Sequence, residues 1–98
     1  MTREVILSAV AKKKLEQLLN YLEEEFSKNT KFNFISALEK ILERITHYPE
    51  SFPKSLKVKS VRKCLVGKHT IMFYRFNKNR IEILTLFDSR QNPEKMPY

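Results

Sequence analysis

The chain has 98 residues, 42% apolar and 31% charged, a length and balance that allow one domain over residues 1–98 with one core and exclude a disordered chain. No run approaches the roughly 18 apolar residues of a membrane-crossing helix, and the single cysteine, Cys64, has no partner for an internal disulfide, so a reduced, cytoplasmic setting is expected. The net charge of +8 is lopsided: residues 1–50 hold 8 bases and 8 acids, residues 51–98 hold 11 bases and 3 acids, and nine bases lie between Glu50 and Glu82 with no acid among them. A one-signed stretch of this kind suits a polyanion or an acidic protein partner.

In chain order, "REVILS" has the composition of a first strand, with β-branched Val5 and Ile6, and lacks the cleavage site of a signal peptide. Ser8 can cap a helix whose apolar residues, Leu15, Leu18, Leu19, Leu22 and Phe26, fall on one face. "SKNT" interrupts that pattern, and Thr30 is the expected cap of a second helix carrying Phe34, Leu38, Ile41, Leu42 and Ile45. Two helices with so short a link form an antiparallel hairpin. The second should end near His47 or Tyr48, because Pro49 disfavours helical geometry in the residue before it, and His47 should then serve the last carbonyls of the helix. "YPESFPKS" reads as a proline-stiffened loop. Alternation from Leu56 through Val58 predicts that a strand starts there. Gly67 opens a turn, "HTIMFYRF" is a strand, "NKN" a hairpin turn and "RIEILTLF" a last strand that ends at Phe87, the expected last core residue. The order β-α-α-β-β-β describes an α+β domain, an antiparallel meander with the helices packed on one face. The other face, or an edge, is left for the basic residues. Leu15, Leu18, Leu22, Phe34, Leu38, Ile41, Ile71, Phe73, Ile81 and Ile83 are its expected core.

Few residues could carry chemistry. One cysteine and two distant histidines lack the spacing of a metal site, and one glycine cannot build a phosphate loop. No serine sits in the small-residue turn of a nucleophile elbow. Neither a metal nor a cofactor is expected. What stands out is Arg90 in "FDSRQNP", where Asn92-Pro93 stops further pairing and leaves the arginine at a strand end. It either pairs with Asp88 or reaches an anion beside Arg62 and Arg75.

The opening strand, the hairpin closed by "YPESFP", and then "VRKCLVGKHTIMFYRF", "NRIEILTLF" and "DSRQNP" together resemble the RelE/ParE family of toxins from type II toxin–antitoxin modules, the addiction or plasmid-stabilisation toxins. The resemblance spans nearly the whole chain. It implies a small twisted antiparallel sheet with an α-helical hairpin on one face, and a cognate antitoxin that wraps and silences the toxin. It leaves two target classes. The RelE-like branch cuts mRNA on the ribosome, whereas the ParE-like branch poisons DNA gyrase. Aligned on the RelE-like branch, a strand-start arginine falls on Thr70, which is neutral and cannot stabilise a pentavalent phosphate. The expected anion- or target-binding residues are Arg62, Lys63, Arg75 and Arg90, converging at one end of the sheet, with His69, Lys57 and Lys59 as weaker candidates. The function expected is a ParE-like gyrase inhibitor. The alternatives are a ribosome-dependent mRNA interferase and a toxin homologue that has lost activity.

Overall fold

A computed structural model describes residues 3–98. Strand β1 (Glu4–Leu7) leads into helix α1 (Ala9–Glu25) and helix α2 (Lys28–His47). Strands β2 (Arg62–Val66), β3 (Thr70–Phe76) and β4 (Arg80–Asp88) follow, and a single 3-10 turn spans Pro93–Lys95.

The helix boundaries follow from capping. The Ser8 hydroxyl accepts from the Ala11 amide at 3.0 Å and starts α1 as its sequence predicts. For α2 the cap is Ser27, whose hydroxyl accepts from the Thr30 amide at 3.0 Å; Thr30, expected in that role, lies inside the first turn. The reason is the end of α1. The Phe26 and Ser27 amides both donate to the Leu22 carbonyl, so the chain has already turned by Ser27. A Lys31–Glu23 ion pair at 2.9 Å ties the two helices together. At the far end of α2, His47 Nδ1 lies 3.0 Å from the Glu43 carbonyl, the role expected of it.

The strand order is β1-β4-β3-β2. β2, β3 and β4 form the expected antiparallel meander, but β1 pairs with β4 in parallel, Val5 opposite Ile81, so the sheet is mixed rather than antiparallel throughout. α1 continues in the direction of β1, since Ser8 reaches the Leu84 carbonyl and Lys14 the Leu86 carbonyl farther along β4. Four reversals then separate α1 from β4: the helix turn, the proline loop and two hairpins. An even number restores the direction of β1.

β2 starts at Arg62, not at Leu56. The alternation from Leu56 lies instead in a closed loop. The Ser55 amide donates to the Val61 carbonyl at 2.7 Å, and the Ser55 hydroxyl accepts from the Lys57 and Val58 amides. Leu56 is consequently 94% exposed.

The sheet is apolar on both faces. On one, Cys64, Val66, Met72, Tyr74, Ile81, Ile83 and Leu86 meet Ala11 and Ile45 of the helices. On the other, Val61, Phe73 and Phe87 are packed by Ile71, Leu84, Met96 and Tyr98. Phe87 is the last core residue of β4, as expected, and the tail beyond the strand adds to this second cluster: the Tyr98 ring lies 5.4 Å from that of Phe73. A bulge helps fill this second face. Thr85 pairs with Phe73 and Ile83 with Tyr74, which leaves Leu84 between them without a partner. Of the expected core, Phe73, Ile81 and Ile83 are buried. Leu15, Leu18, Phe34, Leu38, Ile41 and Ile71 pack half-buried against these clusters, and Leu22 is also half-buried.

Tyr74 is fully buried, and its hydroxyl donates to the Pro49 carbonyl at 2.7 Å, fastening the proline loop to β3. Burial pushes its pKa up from 10.0 to about 12. A raised phenol pKa gives a contribution to stability that is complete below the unfolded value and is lost as pH rises through the folded one. Unfolding free energy should therefore fall between pH 10 and 12, and Tyr74→Phe should flatten that fall while costing about 1–3 kcal/mol at neutral pH by stranding the Pro49 carbonyl. Urea melts at several pH values check both.

Candidate functional site

The four principal basic candidates do not converge. Arg62 pairs with Tyr74 across β2–β3 and shares the helix-side face with Cys64 and Val66. Its Nη1 donates to the Phe52 carbonyl at 2.8 Å and to the Glu50 carbonyl at 3.4 Å. Its guanidinium lies 5.8 Å from the centre of the Phe76 ring, which Arg3 also covers at 5.6 Å. Arg62 is thus a clamp on the proline loop. Lys63 and Arg75 lie on the opposite face as diagonal neighbours, Lys63 opposite Phe73 and Arg75 two residues on. Arg75 Nε binds Glu82 Oε1 at 2.6 Å.

Arg90 is at the other end of the sheet. It follows Asp88, which pairs with Thr70, whereas Arg62 pairs with Tyr74. Four residues of β3 separate those levels, about 13 Å at roughly 3.3 Å per residue. The expected cluster of Arg62 with Arg90 is therefore corrected. A strand start and a strand end meet only across one hairpin, and β2 and β4 are parallel with β3 between them. Arg90 instead grips Asp88 with both Nε and Nη2, at 3.0 and 2.8 Å, and its amide donates to the same carboxylate at 2.9 Å. The Arg90 side chain, followed by its amide, holds the Asp88 carboxyl down to about 2, and Asp88 in turn raises the pKa of Arg90.

Of the weaker candidates, His69 is exposed at the start of β3, and its carbonyl accepts from the Ser89 amide at 2.7 Å, which sets it beside Arg90. Lys57 Nζ donates to the Met96 carbonyl and holds the tail, while Lys59 is exposed in the loop before β2.

His69 and Arg90 border an open cleft of about 1090 Å³ between the tip of the helical hairpin and the Thr70–Asp88 end of the sheet. Leu18, Leu22, Phe34, Val66 and Leu86 contribute its apolar lining. Lys14, Lys68 and Arg90 line it as well, with Asp88 as the lone acid. Gly67 turns the chain there at φ +67°, where a side chain would be strained. Lys14 and Lys68 were not among the sequence candidates. Lys14 carried a readable signal: it stands four and seven residues before Leu18 and Tyr21, on the edge of the apolar stripe of α1. An apolar trough with a cationic border is suited to an amphipathic, acidic segment. Among the described residues no cluster of three or more His, Cys, Asp or Glu side chains could hold a metal ion.

A mixed four-stranded sheet carrying a helical hairpin on one face is the α+β architecture of ParE- and RelE-like toxins. The ParE toxin of the type II toxin–antitoxin system, parDE, matches residues 5–93, and the chain belongs to that family. Solved structures of similar fold include the chromosomal ParDE toxin–antitoxin system from P. aeruginosa, at TM-score 0.71 and 10% identity over 89% of this chain and 96% of that one. The E. coli DinJ-YafQ toxin–antitoxin complex is similar at TM-score 0.62 and 10% identity, over 90% of this chain and 93% of that one. HP0894 from Helicobacter pylori, a conserved hypothetical protein, is similar at TM-score 0.58 and 19% identity, over 90% and 94%. No curated protein matches.

The two arginines at opposite ends should respond differently to truncation. Arg62→Ala leaves the Phe52 carbonyl without its donor and uncovers Phe76, so a loss of about 1–3 kcal/mol and a clearly lower Tm are expected. Arg90→Ala should leave Tm nearly unchanged at pH 7, because an exposed pair contributes little. It should instead return the Asp88 pKa from about 2 toward its ordinary 3.8, read by carboxyl-carbon NMR titration. The small stabilisation from that pair is present above pH 3.8 and lost as pH falls toward 2.

Proposed function

We propose that this ParE-family toxin arrests growth by binding rather than by cutting, with DNA gyrase in the cytoplasm as its target, and that a cognate antitoxin silences it by laying an acidic amphipathic segment into the cleft at the hairpin tip. The observation that carries the first half is dispersal. A metal-independent ribonuclease needs a base, an acid and a phosphate-stabilising cation within reach of one scissile bond. Arg62 is spent on loop carbonyls, Arg75 on Glu82 and Arg90 on Asp88, at three separate places. Thr70, at the position where the RelE-like pattern calls for arginine, is 9% exposed. His69 shares the border of the cleft with Asp88, Arg90, Lys14 and Lys68, but Asp88 and Arg90 are engaged with each other there, which leaves His69 without a free carboxylate partner. The second half rests on the cleft, whose apolar lining and three cations complement an acidic helix or strand.

The test compares two purified systems. Added to gyrase and plasmid, the chain should block supercoiling and accumulate cleaved DNA; added to a reconstituted translation mixture, it should leave mRNA intact. Cells expressing it should form filaments and induce the SOS response. Cut mRNA with normal supercoiling would overturn the reading in favour of the interferase. For the antitoxin, Lys14→Glu combined with Lys68→Glu should weaken the complex at least tenfold and reduce its salt dependence. Unchanged affinity in that variant would remove the cleft as the antitoxin seat.

A further inference from the structure

The loop before β2 holds an arrangement that neither the cleft nor the core explains. Leu56 is 94% exposed, the most exposed of the large apolar residues, and Val58 is 38% exposed. Such exposure in a slack loop would mean little, but this loop is held at its base. Ser55 is 3% exposed and Val61 2%, and the Ser55–Val61 backbone bond closes the loop. The Ser55 hydroxyl fixes the turn from inside by accepting two amides, while Lys57 Nζ ties the loop to the Met96 carbonyl. A closed, internally bonded loop therefore presents Leu56 to solvent. Lys54, Lys59 and Lys63 flank it without an ion-pair partner among the described residues. Between Glu50 and Glu82 the sequence has no acid, and in the adjoining tail Lys95 and Glu94 cancel.

We infer that this loop is a contact element for double-stranded DNA, with Leu56 entering a base step from the minor groove and Lys54, Lys59 and Lys63 neutralising phosphates on either side. The composition selects this partner. A protein interface centres on a contiguous apolar cluster ringed by polar groups, whereas here the loop offers one fully exposed leucine and a partly covered Val58 in a stretch whose charged residues are all basic. A bilayer surface calls for an extended apolar face, which Leu56 and Val58 do not supply. An apolar wedge flanked by phosphate-binding cations matches the way side chains enter and part base steps in duplex DNA. The inference names a direct DNA contact and does not depend on gyrase or on the cleft. A toxin that also gripped DNA would be suited to a target that works on DNA.

The test uses the full chain, without gyrase, and a fluorescent 20-base-pair duplex, with anisotropy read across a salt series. Three lysines on phosphates give a slope of log K against log salt of roughly −3, and Lys59→Gln should reduce it by about 0.9. Leu56→Ala should bind about tenfold more weakly with the slope unchanged, since it removes the wedge and no charge. Its Tm should equal that of the wild type, because the side chain it truncates packs on nothing. An end-labelled duplex should bend on binding the wild type and not the Leu56→Ala variant. Absence of binding at 50 mM salt would overturn the proposal, as would wild-type affinity in Leu56→Ala or an unchanged slope in Lys54→Gln/Lys59→Gln. Equal or tighter binding to an RNA duplex, or to phosphatidylglycerol vesicles, would also overturn it by assigning the loop to another class of partner. A gyrase assay that fails while the duplex binds would reject the gyrase target alone.

Discussion

β4 must be paired along both edges, because it runs through the middle of the sheet with apolar side chains on both faces, and an unpaired backbone group buried there would cost as much as a lost hydrogen bond. β3 pairs with one edge from Ile81 to Asp88, apart from the bulge at Leu84. β1 is only four residues long and covers the other edge as far as Ile83. The remaining carbonyls on that edge are taken by α1: Leu84 by the Ser8 hydroxyl at 2.7 Å and Leu86 by Lys14 at 3.3 Å. Ser8 thereby ends the strand, caps the helix and pairs β4 with a single side chain. This fixes where α1 lies, and so where the hairpin tip stands over the Thr70–Asp88 end of the sheet. The cleft is the space left between that tip and the sheet.

The arginines illustrate how one chemical group is put to different uses by its surroundings. Arg62 has its guanidinium against a ring and its hydrogen bonds on carbonyls of the loop that joins helix to sheet, so its charge is a structural fastening. Arg75 and Glu82 are a cross-strand pair on the tail-covered face, the sheet counterpart of an i,i+4 helix pair. Arg90 is held by Asp88 in a fork with two parallel bonds, a geometry that keeps the guanidinium in one orientation at the border of the cleft. An incoming carboxylate would compete with Asp88 for it, and Lys14 and Lys68 stand on the same border to share that charge.

The two basic regions differ in kind. At the cleft the cations border a trough of apolar side chains large enough for a segment of another chain. At the Ser55–Val61 loop the relation is inverted, with one apolar side chain projecting among cations. The cations of both belong to the half of the sequence that holds the whole net charge, apart from Lys14, yet the two regions differ in shape.

Much of the architecture was legible in the sequence by itself, because the physics that decides it is local. Period and capping placed both helices, with Ser8 as the first cap and His47 at the second end, and the turns at Gly67 and "NKN" marked the meander. Resemblance of the ordered motifs indicated the family. The errors came where a local pattern had a competitor several residues away. Thr30 looked like a cap until Ser27, brought round by the bonds to Leu22, took the role. The alternation at Leu56 looked like a strand until the Ser55 side chain closed a loop on itself. What only the tertiary structure decided was which distant residues share a surface. The parallel β1–β4 pairing depends on the sum of four chain reversals. The separation of Arg62 from Arg90 depends on β3 lying between their strands. Lys14 joins the border of the cleft because α1 is laid along β4. None of these is encoded within a window of a few residues, since each is a consequence of how whole elements pair to satisfy β4 and cover its two faces.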